Sequence, residues 1–187
     1  MSARRKAIRK AIVKRLKGRT RAKDNVRANR SERNWMEYLP AINVYTRGET
    51  DISELSSAPR LLRRPINVEI EIIDSGDDGD DISDKLDDLA EDVERYLSRD
   101  DSLGDTASDI LLKGVSDMEA VDTGERPAMA VRLNYKVIYE EYSPRDQSGQ
   151  GVGELDGIDA EWPIGHHDGP PTMDEADRAE DKIDLPD

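Results

Sequence analysis

The sequence predicts an α+β two-layer sandwich: a mainly antiparallel four-stranded sheet covered on one face by helices. Two stretches alternate between apolar and polar residues. In "RRPINVEIEIIDS" (63–75), Ile66, Val68, Ile70 and Ile72 point one way and Asn67, Glu69 and Glu71 the other, as in a strand with one buried and one wet face. In "AMAVRLNYKVIYEEY" (128–142), Met129, Val131, Leu133, Tyr135, Val137 and Tyr139 do the same. Between them, Ile82, Leu86, Leu89, Val93 and Leu97 recur at helical spacing within 81–100. Elements that are apolar on one side bury those sides against each other, and a helix-covered sheet is the simplest arrangement of this set.

The elements follow in chain order. Residues 2–18, "SARRKAIRKAIVKRLKG", read as an amphipathic helix whose narrow stripe is Ile8, Ala11, Ile12 and Leu16. Ser2 is placed to cap its start, and Gly18 supplies the left-handed conformation that ends helices. Residues 19–38 lack a clean period and read as loop with some helical turns. "LPAINVYTRGE" (39–49) holds a strand over 41–46. Pro40, lacking an N–H, stands at its head and suits the rim of the sheet. The polar segment 47–59 reads as a projecting loop. "GDDGDD" (76–81) breaks the chain before the second helix, which Asp81 or Ser83 is placed to cap, with acids crowding its first turns. "TASDILLKGV" (106–115) reads as a short third helix closed by Gly114. "VSDMEAV" (115–121) turns through "DTGERP" into 128–142 as a hairpin. These elements make one domain over 1–142. The remainder, 143–187, is an acidic, Gly- and Pro-rich extension with at most a short helical turn around "MDEADRAED".

Composition bounds the function. Of 187 residues, 35% are hydrophobic, 4% aromatic and 37% charged, with no Phe, so a compact core fits only part of the chain. The absence of cysteine excludes disulfides, thiolate chemistry and Cys-based zinc sites. No apolar run exceeds the four residues of "AMAV" (128–131), so the sequence predicts no membrane span and no signal-peptide core. The expectation is a soluble protein of the cell in which it is made. The net charge of −14 is unevenly spread. Residues 1–33 carry 14 Lys/Arg against two acids, a local +12, and residues 146–187 carry two against 13, a local −11. Such polarity marks a chain whose ends touch something.

Candidate chemistry does not survive inspection of spacing. In the acidic loop "DSGDDGDDISDK" (74–85), a calcium-binding EF-hand would need ligands at its third and twelfth positions, which are Gly76 and Lys85. His166 and His167 are adjacent, and in extended chain their side chains point apart. Asp84, Asp87, Asp88 and Glu91 fall on the outer face of a helix, not around a dry cavity that two metals could share. Neither a nucleophile–base pair nor a phosphate-binding glycine loop is present. The reading is of a protein without catalysis, metal or cofactor. The basic first helix fits two roles: pairing with acidic protein surface, or contact with nucleic acid phosphates. It lacks the aromatic residues expected of a single-strand binder.

The order of several segments carries a resemblance: "IRKAIVKRL", then Thr20, Ala22, Val26 and Arg30, "LPAINVYTRGE", "RRPINVEIEI", "DKLDDLAEDVERYL" and "MEAVDTGERPAMAVRLNYKVIYEEY". Together, over roughly residues 5–142, they resemble the tail terminator proteins of long-tailed bacteriophages, the family that includes the minor tail protein U of phage lambda. The resemblance implies a structural virion protein at the head-proximal end of the tail, found in the host cytoplasm during assembly. It would form a hexameric ring that caps the tail tube, stops its growth and meets the head-completion proteins. The implied partners are the tail tube protein, the head–tail connector proteins, further copies of the chain, and DNA that passes without specific binding. Six copies at −14 each would carry −84, and acids lining a channel would let phosphates slide past. The interface candidates are Arg5, Arg9, Lys14, Arg47, Glu49, Asp51, Glu54 and Arg63. Two other readings are a nucleic-acid-binding accessory protein using residues 4–33, and another neck protein that completes head or tail.

Overall fold

The computed structural model describes residues 3–29, 38–121 and 126–143, together with the backbone of 158–163 and 178–183. Residues 1–143 form one compact unit and 144–187 a second.

The first unit is built around two long strands. β4 (Arg60–Ser75) and β7 (Ala128–Tyr142) run antiparallel in unbroken register from Leu61 opposite Tyr142 to Ser75 opposite Ala128. β4's other side is shared by β2 (Ala41–Glu49) and, further along, β3 (Ser53–Ser57), and β7's other side is shared by β5 (Asp109–Val115) and β6 (Glu119–Val121). β1 (Val26–Ala28) lies outside β2 and parallel to it. The sheet is therefore mixed and seven-stranded. The sheet expected from the sequence had four antiparallel strands; the observed one has seven, one of them parallel, and of the first arm expected over 115–121 the separate strand β6 covers only Glu119–Val121.

Alternation in the two long strands sorts the faces. Ile66, Val68, Ile70 and Ile72 stand opposite Val137, Tyr135, Leu133 and Val131, and all eight are buried in one core. Ile42 and Val44 of β2 extend that row opposite Ile72 and Ile70. Two helices supply the facing layer. α1 (Ala3–Leu16) contributes Ile8, Ile12 and Leu16, and α2 (Gly79–Leu97) contributes Ile82, Leu86, Leu89, Val93 and Leu97. Gly18 closes α1 at φ +70, in the left-handed region that favours glycine.

Several elements differ from expectation for identifiable reasons. Residues 109–115 of the expected third helix are strand β5. The outer side of β7 requires hydrogen-bond partners, and the Ile110/Leu112 alternation fits that pleat by placing both on the helix-side face. Gly114 sits at a register slip after Leu112, not at a helix end. The 41–46 strand runs to Glu49 and is flanked by β1, so 39–49 is not the outermost rim over its first residues. The loop expected over 47–59 contains the end of β2 and all of β3, which folds back on β4. Residues 19–38 contain strand β1. The cap of α2 is Asp78, whose carboxylate accepts from Asp81 N at 2.8 Å, in place of Asp81 or Ser83. Gly76 permits the tight entry: a Cβ there would come within 2.8 Å of Ile82 Cγ1.

In the second unit, β8 (Ile158–Pro163) pairs antiparallel with β9 (Arg178–Ile183). The extension thus contains a two-stranded ribbon, and Arg178–Asp181, within the expected helical turn, are strand.

Leu86 is fully buried while Asp84 on the same helix is exposed. Leu86→Ala is expected to destabilise by about 3 kcal/mol, and Asp84→Ala by less than about 0.5 kcal/mol, in urea unfolding followed by circular dichroism.

Candidate subunit interface

The first turns of α1 come down on the end of β2, and Glu49 is the point where they meet. Its carboxylate takes two hydrogen bonds from Arg64, Nη2 at 2.6 Å and Nε at 3.1 Å, and one from the Tyr139 hydroxyl at 2.8 Å. Arg5 of α1 lies 3.6 Å away as a further cation. The Glu49 side chain is only 8% exposed, so the charge needs these partners. Arg64 also donates to Glu141 at 3.0 Å. One carboxylate thus ties α1, β2, β4 and β7 together. Beside it Arg9 donates to Thr46 Oγ1 at 2.9 Å, and Arg5 donates to the Arg47 carbonyl at 2.5 Å.

Burial, then the hydrogen bond to Glu49, push the Tyr139 hydroxyl from 10.0 up to about 12. Arg64 is raised as well: burial pulls it down, but Glu49, Tyr139 and Glu141 outweigh that.

A second clasp joins the α1–β1 turn to α2. Asp92, 4% exposed, accepts from Arg21 N at 2.9 Å and pairs with the Arg21 guanidinium at 3.3 Å and with Arg95. Arg21 also donates to the Asp88 carbonyl at 2.6 Å, and Arg15 pairs with Asp100 at 2.5 Å. Arg5, Arg15 and Arg21 of the basic N-terminal region are thus matched to the acidic body of their own chain.

The sheet face away from the helices is a charge ladder. Arg47 donates to Glu69 at 2.6 Å, while Arg132 joins Glu71 at 3.3 Å and Glu119 at 2.7 Å. Tyr45 donates to Glu71 at 3.4 Å, and its phenol is raised by burial and by that carboxylate. The glutamates expected to be wet are half-buried and paired.

Beyond Glu49 the sheet outruns its helices. β3, the start of β4 and the end of β7 form a three-stranded flap with exposed Leu55 and Tyr142, and Ile52 just before it. Asp51, Glu54 and Arg63 lie on this flap or beside it, with Asp51 held by Lys136 at 3.2 Å and Glu54 by Arg60 at 3.2 Å. Arg63 is exposed. The eight interface candidates therefore divide. Arg5, Arg9 and Glu49 join α1 to the sheet, and Arg47 links that contact to the charge ladder. Asp51, Glu54 and Arg63 gather at the flap. Lys14 stands apart, in a cleft of about 410 Å³ lined also by Arg15, Arg19 and Asp100. The apolar residues Ile52, Leu55 and Tyr142 were not among the candidates, although the Ile52/Leu55 pair within a polar stretch was a visible signal.

Among the described residues, no group of three or more His, Asp or Glu is arranged to hold a metal. The acidic loop has other duties: Asp74 accepts from Ser75 N, Asp78 caps α2 and Asp81 pairs with Lys85. His166 and His167 lie outside the described residues. No helix among the described residues is long and apolar enough to cross a membrane. Comparison with protein-family models gives no match, and comparison with curated proteins gives no significant one.

Glu49→Ala would leave Arg64 and Tyr139 without their shared acceptor, and is expected to cost about 3 kcal/mol in chemical unfolding. The raised Tyr139 hydroxyl gives a second expectation. Between pH 10.0 and about 12 the folded state keeps a proton that an unfolded tyrosine has released. Its contribution is therefore full below pH 10.0 and declines as pH rises toward 12. Tyr139→Phe should flatten that alkaline decline in thermal melts, while losing about 1 kcal/mol at neutral pH.

Proposed function

We propose that this chain is a structural virion protein, a phage tail terminator whose copies form a hexameric ring capping the tail tube. There it halts tube growth and offers a surface for head–tail joining. The flap is the observation that carries the reading. It projects past the helix layer with both apolar and charged residues exposed, with Glu54 and Arg63 on it and Asp51 just before it. Exposed apolar residues grouped on one projecting element mark a surface for another protein. The segments carrying the resemblance also fall on the elements that build the core: β2, β4, α2 and the β6–β7 pair.

The electrostatics favour protein partners over nucleic acid. Arg5, Arg15 and Arg21 are paired with Glu49, Asp100, and Asp88 and Asp92 of the same chain. Lys6, Lys10 and Lys14 remain on the exposed side of α1 and are the cations a phosphate would meet. With exposed Arg19 and Lys23 just beyond the helix, they are the described residues on which the accessory-protein reading draws.

Mass measurement with negative-stain imaging of purified protein, alone and with tail tubes, tests the proposal. Sixfold rings at tube ends, and tubes of bounded length when the protein is present, are expected. A chain that stays monomeric, leaves tube growth unchanged and shifts DNA in a steeply salt-dependent manner would overturn it in favour of the nucleic-acid reading.

A further inference from the structure

Among the described residues β1, β3, β5 and β6 each bond to a strand on one side only, and of these β5 and β3 hold exposed large apolar side chains while β1 and β6 do not. β5 bonds to β7 on one side, and among the described residues no strand lies on its other. β3 bonds only to β4. A sheet border is a row of backbone donors and acceptors open to a further strand. Both borders also hold large apolar side chains in water: Leu111, Leu112 and Val115 on β5, and Leu55 on β3. On β5 the exposure follows register. Ile110, opposite Val137, is 7% exposed, Leu112, opposite Tyr135, 39%, and Val115, opposite Leu133, 50%. The helix layer stops short of this border, so the core's own apolar row runs out into solvent.

We infer that β5 of one copy pairs edge to edge with β3 of the next, continuing the sheet from subunit to subunit. This rests on the ring reading and adds to it the surface by which subunits join. The occupant is a second copy because both borders belong to one sheet and are of comparable length, seven residues and five. Head-to-tail pairing covers both of these apolar borders at once in every subunit of a closed ring, and leaves β1 and β6, which expose no large apolar side chain, outside the contact. Charge agrees. β5 presents exposed Lys113, which has no ion pair among the described residues, and β3 presents Glu54, with Asp51 just before it. Each border also carries one register irregularity, between Leu112 and Gly114 and between Glu54 and Ser56. Bulges bend and twist an edge, so they admit a strand of matching shape and discourage indiscriminate ones.

The chain contains no cysteine, so engineered thiols report on this contact alone. A variant carrying Leu55→Cys and Leu111→Cys, both at exposed positions, is expected to give a ladder of disulfide-linked multimers on mild oxidation. Either single substitution should give none beyond background. In parallel, Leu112→Lys with Val115→Lys should weaken association at least tenfold in sedimentation, with an unchanged circular dichroism spectrum. Sixfold rings without a ladder, indifferent to the lysine pair, overturn the inference and leave the ring reading standing. A ladder of open chains without closed rings upholds the edge contact and overturns the ring. Dimers from Leu111→Cys alone would show symmetric β5–β5 pairing and overturn the head-to-tail contact. No association and no ladder would overturn both.

Discussion

The β4–β7 ladder is the constraint from which the remaining structure follows. The two strands stay in register from Leu61 to Ser75 without a bulge, so one face of both is committed to the core along most of their length. Every other strand of the first unit except β1 bonds directly to one of this pair. Their length also creates the problem that Glu49 solves. α1 and α2 cover only part of the ladder, and where the cover ends a tyrosine and an arginine would otherwise face each other at a half-closed edge. A carboxylate entering from β2 satisfies both and meets α1 through Arg5. The clasp marks the boundary between the covered sheet and the flap.

The same economy explains the charge distribution. A chain with a +12 end and a strongly acidic remainder invites the thought that the positive end is meant for something else. The ion pairs of Arg5, Arg15 and Arg21 are instead with the acidic body of the chain. Asp92 shows the physical reason, since it is too buried to stand alone and takes a backbone N–H and two guanidinium groups. Among the described residues, exposed surface outside these pairs includes the lysines on the outer side of α1, the flap and the β5 border.

Patterns that reflect burial were legible in the sequence, and elements defined by their neighbours were not. The alternation of Ile66 to Ile72 and of Met129 to Tyr139, and the helical spacing of Ile82 to Leu97, each arise from one face meeting the core. β1 is three residues, Val-Arg-Ala, and β3 is Ser-Glu-Leu-Ser-Ser. Neither has a periodic signature, and both exist because an adjacent strand had unpaired backbone to offer. β5 misled because two adjacent leucines suit a helix as readily as a strand, and only the open side of β7 decides between them. Glu49 was legible as a notable charge but not in its role. No local feature of "YTRGET" shows that an arginine fifteen residues on and a tyrosine ninety residues on converge there.

α1 precedes in the chain every element it packs against. Among the described residues its stripe of Ile8, Ile12 and Leu16 packs on β1, β2 and α2, and Arg15 pairs with Asp100. During synthesis the helix must therefore wait, basic and with an uncovered apolar stripe, until about eighty further residues have emerged. Its many cations then act as a solubilising coat over that interval. The residues that later hold the fold together first keep the unfinished chain from sticking to others like it.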